Sequence, residues 1–153
     1  MLEIVLRLIR YLLVRIRIRG LKAVALLGTD VVISRRFSWR LQGNNPVFSV
    51  GSNTQLDGRI VVRGCGQLSI GSCCSFRAGT YIGVVDKITI GNNVFCSENI
   101  FITDNNNHPI SPRARYLMTK FPPGSKEWSW DRGDVASSPV EIQDNVWIGR
   151  GAI

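Results

Sequence analysis

The chain has 153 residues and a formal net charge of +8, from 19 lysines and arginines against 11 aspartates and glutamates. Hydrophobic residues make up 44% of it, which is ordinary for a globular protein and excludes both a disordered chain and one with several membrane spans. Most of the positive charge lies in residues 1–40, whereas the rest of the chain is close to neutral. A nucleic-acid-binding protein more often carries a basic stripe over its folded face, so we expect no nucleic-acid partner.

Residues 1–30 form a basic leader, which we predict to begin with an amphipathic helix over residues 2–14. The apolar residues recur at the spacings of three and four that a helix face requires, namely Leu2, Val5, Leu6, Ile9, Leu12 and Leu13. Over residues 14–19 apolar residues alternate with arginines, so a strand is an alternative there. Gly20 and Gly28 are expected breaks.

Two interpretations of the leader stay open. The helix packs on the body of the protein, or residues 1–22 contact an anionic membrane surface. Arginines interrupt the leader too often for a secretory signal peptide, and no apolar run approaches the roughly 18 residues of a membrane span. We therefore expect a cytoplasmic protein, peripheral to the inner face of the membrane if the leader binds lipid.

From about residue 33 the sequence follows a repeat with a period near six, and we assign residues 31–153 to one domain. An aliphatic residue followed by glycine marks the rows Val50-Gly51, Ile70-Gly71, Ile82-Gly83, Ile90-Gly91 and Ile148-Gly149. Three such strands make one triangular coil, with the aliphatic residue inside and glycine or asparagine at the corners. Because Val50, Ile70 and Ile90 are twenty residues apart rather than three times six, we expect bulges near residues 64–66 and 84–86. A looser coil is expected over residues 33–49.

The four cysteines are Cys65, Cys73, Cys74 and Cys96, and no two of them have the CxxC spacing of a zinc or redox site. We expect them to be small, buried and reduced, which fits a cytosolic protein. In a strand, the adjacent Cys73 and Cys74 point to opposite faces.

The repeat fails between Asp104 and Pro139, and we predict one long irregular loop over residues 104–139. This segment contains the only histidine, His108, together with five of the six prolines and the pair Trp128 and Trp130. A long excursion from a regular solenoid is usually a functional loop.

Three features over about residues 48–153 resemble hexapeptide-repeat acyltransferases. They are the hexapeptide rows, the segment from Ile90 to Ile110 with His108-Pro109 after the third coil, and the return Asp144-Asn145-Val146-Trp147-Ile148-Gly149. The chain is most similar to galactoside and maltose O-acetyltransferases and their relatives in polysaccharide gene clusters. The resemblance implies a left-handed parallel β-helix and a homotrimer with active sites between subunits. It also implies transfer of an acyl group from acetyl-CoA, bound along the coils, to a sugar hydroxyl in cell-surface polysaccharide biosynthesis.

The resemblance further implies roles for individual residues. His108 matches the family's general base, and Trp147 matches a tryptophan near the cofactor and the acceptor. The backbone N–H of Arg150, in the turn after Gly149, matches an oxyanion donor at the cofactor side. Asp86 lies near the position of a sugar-binding acidic residue.

The residues themselves are consistent with this chemistry. A sugar hydroxyl is a weak nucleophile, and an imidazole can take its proton near neutral pH. Asp104 is a candidate to hold the imidazole tautomer, to bind acceptor hydroxyls or only to cap a turn, and Glu127 is a candidate orienting group. Trp128 offers a flat apolar face for the sugar. The sequence shows neither a metal-ligand cluster nor a nucleophile elbow, so we expect direct transfer without a metal.

A second hypothesis is a catalytically inactive β-helix that acts as a scaffold or fragment in a glycan-synthesis complex. The resemblance leads us to expect further coils after Ile153, and a chain without them favours this hypothesis. His108 and its loop favour the enzyme. Serine O-acetyltransferases and nucleotide-sugar N-acyltransferases share the rows and are enzymatic alternatives.

Overall fold

A computed structural model of the chain describes residues 2–22, 24–122 and 136–153, and its main feature is a three-sided parallel solenoid. The first sheet contains β1 (Leu26–Leu27), β4 (Val47–Val50), β7 (Gln67–Ile70), β10 (Lys87–Ile90) and β13 (Val140–Ile142). The second contains β2 (Val32–Ile33), β5 (Gln55–Leu56), β8 (Ser75–Phe76), β11 (Phe95–Cys96) and β14 (Trp147–Ile148). The third contains β3 (Ser38–Gln42), β6 (Arg59–Arg63), β9 (Tyr81–Val84) and β12 (Phe101–Thr103). The predicted all-β parallel β-helix with an N-terminal helix and an inserted loop is confirmed.

The coils follow one another with a nearly constant step, which stacks equivalent positions. Gln67 pairs with Val47 in the preceding coil and with Lys87 in the following coil, a step of twenty residues in each direction. The extra residues lie in the turns between the third and first sheets, as predicted; in one of them the N–H of Gly66 donates to Arg63 O at 2.9 Å. The first coil already begins with β1, which pairs with β4. The solenoid therefore starts before the boundary predicted at residue 31, and its first coil is not confined to residues 33–49.

The core consists of apolar columns that run along the solenoid. Phe48, Leu68 and Ile88 occupy the same register position in successive coils and are 2%, 1% and 0% exposed. Burial of each such side chain contributes about 1.5–3 kcal/mol, and its packing partners come from the coils on either side. A single coil has no such partners, so the stability of the fold depends on stacking.

The corners of the coils need backbone conformations that few residues adopt. Several are asparagines with φ between 55° and 62°, namely Asn53, Asn93, Asn99 and Asn145. Asparagine tolerates this left-handed region better than most side chains do. Gly58 has a φ of 123°, and a Cβ at this position would clash with the carbonyl oxygen of Thr80 in the next coil. This corner therefore requires glycine.

The four cysteines are free thiols in two different environments. Cys74 and Cys96 are buried, whereas Cys65 and Cys73 are exposed, so the prediction that all four are buried is wrong for the last two. Cys73 lies at a corner with a φ of 58°, before β8 begins, so strand alternation does not govern its direction. Burial raises the pKa of the Cys96 thiol to about 12 and also raises the pKa of the Cys74 thiol.

The leader is one long helix, α1 (Leu2–Lys22), rather than a short helix followed by a strand. The alternating residues 14–19 are helical, and Gly20 lies within the helix instead of breaking it. The last turns pack on the solenoid, because Leu21 is fully buried in the core and Ile18 packs against the same cluster. Within the described ranges, no helix is long and apolar enough to cross a membrane.

The inserted loop contains a second helix, α2 (Pro112–Thr119), so the segment predicted to be irregular is partly helical. Ser111 caps this helix, since its hydroxyl accepts a hydrogen bond from the N–H of Ala114 at 3.5 Å. Proline in the first turn loses no hydrogen bond there, and its restricted φ suits the helix start. The Ser-Pro pair is therefore a local start signal for α2.

Candidate functional site

The inserted loop leaves the solenoid at one corner and returns to the register of the regular coils. It follows β12 of the third sheet and ends at β13 of the first sheet, where Val140 pairs with Ile88 of β10. Its two ends are joined by an antiparallel bridge between Asn105 and Ser137 and by a hydrogen bond from Ser138 N to Asp104 O at 2.9 Å. The loop is therefore closed at its neck, and the solenoid continues beyond it.

Asp104 ties this neck to the preceding coil. Its side chain is only 3% exposed, and its carboxylate accepts hydrogen bonds from the N–H groups of Val85, at 3.0 and 3.1 Å, and of Asp86, at 2.8 Å. The side-chain amide of Asn105 donates to the same carboxylate at 3.0 Å. The sequence left several roles open for Asp104. Its contacts are those of a turn cap, because its carboxylate binds the neck of the loop and the neighbouring corner.

Asn105 shapes the turn that presents His108. Asn105 is 7% exposed, its side-chain amide donates to Thr103 Oγ1 at 2.9 Å, and its side-chain oxygen accepts from the N–H of Asn107 at 2.8 Å. Asn107 has a φ of 57°, and the N–H of His108 donates to Asn106 O at 2.6 Å. His108 is exposed at the end of this turn. Asn105 is not among the site residues predicted from the sequence, although the run of three asparagines before His108 is the signal for such a turn.

Asp86 lies beside the same neck. Its N–H donates to Asp104, and its carbonyl accepts from Gln67 N at 2.9 Å, so its backbone is fixed from two sides. Its side chain is exposed. The structure thus brings Asp86, Asp104 and the turn that carries His108 together at one corner, the corner between the third and first sheets.

Trp147, Gly149 and Arg150 lie at a different corner. Trp147 is on β14, its side chain is 74% exposed, and its indole Nε1–H donates to Ser97 Oγ at 3.2 Å. Arg150 follows β14 at the corner between the second and third sheets and forms an exposed ion pair with Glu98 at 2.8 Å. The third sheet therefore separates this corner from the His108 corner within one copy of the chain.

The turn around Arg150 has an accessible backbone. Gly149 and Gly151 both have nothing within 4 Å of the place where a Cβ would lie. Among the described residues, no hydrogen bond uses the N–H of Arg150, but the same holds for Ala78 and Glu98, which occupy this corner in earlier coils. An available backbone N–H donor at this position is therefore a general feature of this corner of the solenoid.

One aromatic pair lies on the outer face of the third sheet, between the two corners. Tyr81 and Phe101 stack with ring centroids 4.9 Å apart and an interplanar angle of 11°. The Tyr81 ring lies over Gly83, where an added Cβ would meet Tyr81 Cε1 at 2.7 Å. This pair was not predicted from the sequence, although its spacing equals the twenty-residue step between coils.

Two candidates from the loop, Trp128 and Glu127, lie outside the described residues, as does Trp130. In the part of the chain that the structure describes, no group of three or more histidines, cysteines, aspartates and glutamates is placed to hold a metal ion.

The chain matches no protein-family profile, no curated protein and no solved structure. The geometry nevertheless defines a class, a three-sided parallel β-solenoid with a closed, histidine-bearing loop at one corner. The residues that bear on function are therefore those of the two corners, with His108 and Asp86 at one and Trp147 and Arg150 at the other.

Proposed function

We propose that the chain is an O-acyltransferase that moves an acetyl or similar acyl group from acetyl-CoA to a sugar hydroxyl, in cytoplasmic steps of cell-surface polysaccharide biosynthesis. The observation that carries the proposal is the placement of His108, an exposed residue on a turn whose base is fixed by the buried Asp104 and Asn105. A general base needs both a defined position and access to the hydroxyl that it deprotonates, and this turn supports both.

In the proposed reaction, His108 takes the proton of the sugar hydroxyl as the hydroxyl oxygen attacks the thioester carbonyl carbon. The carbon–sulfur bond then breaks, and the imidazolium returns the proton to the departing thiolate, which gives the sugar ester and free CoA. A positioned base contributes about 10²–10⁴-fold to such a step. A backbone N–H aimed at the developing oxyanion, such as that of Arg150, contributes about 10²–10³-fold.

The second corner has groups that suit a thioester co-substrate. The exposed indole of Trp147 offers a flat apolar face for a pantetheine chain. The guanidinium of Arg150 suits a phosphate, and its ion pair with Glu98 is well exposed, with the two side chains 73% and 50% accessible. Exposed pairs of this kind contribute little to stability, so a phosphate group can replace the carboxylate at low energetic cost.

The separation of the two corners supports an active site shared between subunits. His108 and Asp86 lie at one edge of the third sheet, and Trp147 and Arg150 lie at the other edge. A homotrimer of triangular solenoids can place the first edge of one subunit against the second edge of its neighbour. In the proposed trimer, each site takes His108 from one subunit and Trp147 from the next.

Asp86 is the proposed acceptor-binding residue. Its carboxylate is exposed next to the His108 turn while its backbone is held by Asp104, so it can accept hydrogen bonds from sugar hydroxyls without moving the turn. Its role differs from that of Asp104, whose carboxylate is buried and bound to the neck. We expect Asp86→Asn to raise KM for the sugar more than it lowers kcat.

The direct test is release of thiol from acetyl-CoA in the presence of a panel of sugars, measured for the wild-type protein and for His108→Ala. Activity that depends on both an acceptor sugar and His108 supports the proposal. Equal acceptor-dependent activity of the two proteins would remove His108 from the mechanism and overturn the proposed role of the turn.

A further inference from the structure

The N-terminal helix exposes a continuous apolar stripe that nothing in the described part of the chain covers. Its members are large aliphatic residues with exposures of 41–62%, namely Val5, Leu6, Ile9, Leu12, Leu13 and Ile16. At 3.6 residues per turn these positions fall on one side of α1. Six exposed aliphatic side chains on one helix face are unusual for a soluble surface and mark an interaction site.

The stripe is not the face by which the helix packs on the solenoid. Leu21 is fully buried in the core, and Ile18 packs against the same cluster. By helical register, Ile18 lies roughly opposite the middle of the stripe. The helix is therefore anchored at its last turns through Ile18 and Leu21, while the side chains of the stripe are exposed.

The charge of the helix favours a lipid surface as the occupant of this stripe. The helix contains six basic residues and one acidic residue, Glu3. Arg15 and Arg19 are exposed on one border of the stripe. Arginines beside an apolar face can bind lipid phosphates while their aliphatic stems follow the apolar surface. A second copy of the same helix would bring like charges together, which is unfavourable.

We propose that α1 docks the protein on anionic membranes, with the apolar stripe at the boundary between headgroups and acyl chains and Arg15 and Arg19 on lipid phosphates. The helix would lie in the membrane plane, as amphipathic helices with a basic polar face do. Its anchor is in the first coil, whereas the His108 loop leaves the fourth. Docking and acyl transfer therefore use separate parts of the molecule.

The test of the stripe is co-sedimentation of the full chain with vesicles of phosphatidylcholine and phosphatidylglycerol, compared with vesicles of phosphatidylcholine alone. Wild-type protein should bind the anionic vesicles and lose binding as salt is raised. Leu12→Ser/Ile16→Ser should weaken binding by about tenfold or more, because two inserted side chains become polar. The matched control is Leu26→Ser/Val32→Ser, which removes two aliphatic side chains that are 74% and 57% exposed on the solenoid, and it should bind as wild type.

The test of the charges uses Arg15→Gln/Arg19→Gln, which should weaken binding to anionic vesicles by roughly tenfold. The control Arg36→Gln/Arg40→Gln removes the same charge from exposed positions of the solenoid and should leave binding intact. Circular dichroism of each variant verifies that the helix is retained. Binding that is equal for stripe and control variants would overturn the proposal. The proposal would also be overturned if the wild-type protein did not bind vesicles and the stripe variant differed from it in molecular mass by light scattering. The stripe would then be covered by a second copy of the chain.

Discussion

His108 lies on an exposed turn outside the stacked core, so its removal should affect catalysis without affecting folding. We expect His108→Ala to keep its circular dichroism spectrum and its denaturation midpoint while acyl transfer falls by about 10²–10⁴-fold. Thiol release from acetyl-CoA with a panel of sugars measures the loss of turnover, and urea denaturation checks that folding is unchanged.

Arg113→Ala is the matched control for His108, because Arg113 is exposed on α2 of the same loop. This control should keep wild-type turnover on the sugar that serves best as acceptor. If His108→Ala is also within about threefold of wild type on that sugar, His108 is not the general base.

The cysteines give a prediction about accessibility and alkaline stability. Ellman's reagent should modify Cys65 and Cys73 in the native protein, and Cys74 and Cys96 only after denaturation, because the last two are buried. The raised pKa of Cys96 stabilises the fold while its thiol is protonated, so this contribution is complete below the ordinary value of 9.0 and is lost as pH rises toward about 12. Denaturation measured over this pH range should show the decline, and Cys96→Ala should show less of it. Rapid native modification of all four thiols would contradict the burial.

Asp104 shows where sequence reasoning about the site reaches its limit. An aspartate four residues before a histidine is compatible with a catalytic partner and with a turn cap, because both roles need the same carboxylate. The choice depends on Val85 and Asp86, whose N–H groups reach Asp104 only when the third and fourth coils are stacked. No local pattern contains this long-range contact, whereas the identity of His108 as the candidate base could be predicted from its position in the loop.

At the scale of the element, the corners of the coils determine which glycines are essential. Gly58→Ala should destabilise the protein by about 2–4 kcal/mol, because it combines a φ of 123° with a clash against the Thr80 carbonyl. Gly64→Ala is the control for the backbone conformation alone, since its φ is 61° and nothing lies within 4 Å of its Cβ position. It should cost only about 1–2 kcal/mol. Urea denaturation measures the difference, and equal values would mean that the next coil can move away from Gly58.

The two helices differ in how far the local sequence predicts them. Residues 14–19 alternate as a strand would, but Ile18 and Leu21 reach the same core cluster, which their spacing of three allows on a helix face. Tertiary packing therefore decides between two patterns that the sequence leaves equal. The start of α2, in contrast, is specified locally, because Ser111 and Pro112 are start signals that can be recognised in the sequence.

At the scale of the whole molecule, the stacked solenoid follows from the hexapeptide period, since stacking requires equivalent residues to recur along the chain. The step of twenty residues from Gln67 to Lys87 exceeds three times six because of the extra residues in the turns between the third and first sheets. The period does not predict how the loop closes, because the bridge between Asn105 and Ser137 joins residues far apart in sequence. Nor does the period predict how the corner that carries His108 lies relative to the corner that carries Trp147, and the composition of the active site depends on this arrangement. His108 and Trp147 lie at opposite edges of the third sheet, so one copy of the chain does not bring them together.

A shared site predicts complementation between two inactive variants. In trimers assembled from equal amounts of His108→Ala and Trp147→Ala subunits, a site that takes each residue from a different subunit is intact in about a quarter of cases. Activity should therefore recover to about a quarter of the wild-type value, although each variant alone is nearly inactive. The measurement is thiol release after the two proteins are mixed under denaturing conditions and refolded together.

The control for this experiment mixes wild-type subunits with the double variant His108→Ala/Trp147→Ala. A site shared between subunits gives about a quarter of full activity in this mixture too, whereas a site within one subunit gives about half. A site within one subunit also gives no recovery when the two single variants are mixed. The pair of mixtures therefore separates the two arrangements, and half activity in the control with none in the complementation would show that His108 and Trp147 act within one chain. Because both corners are edges of the same sheet, that result would require the loop to reach across Tyr81 and Phe101.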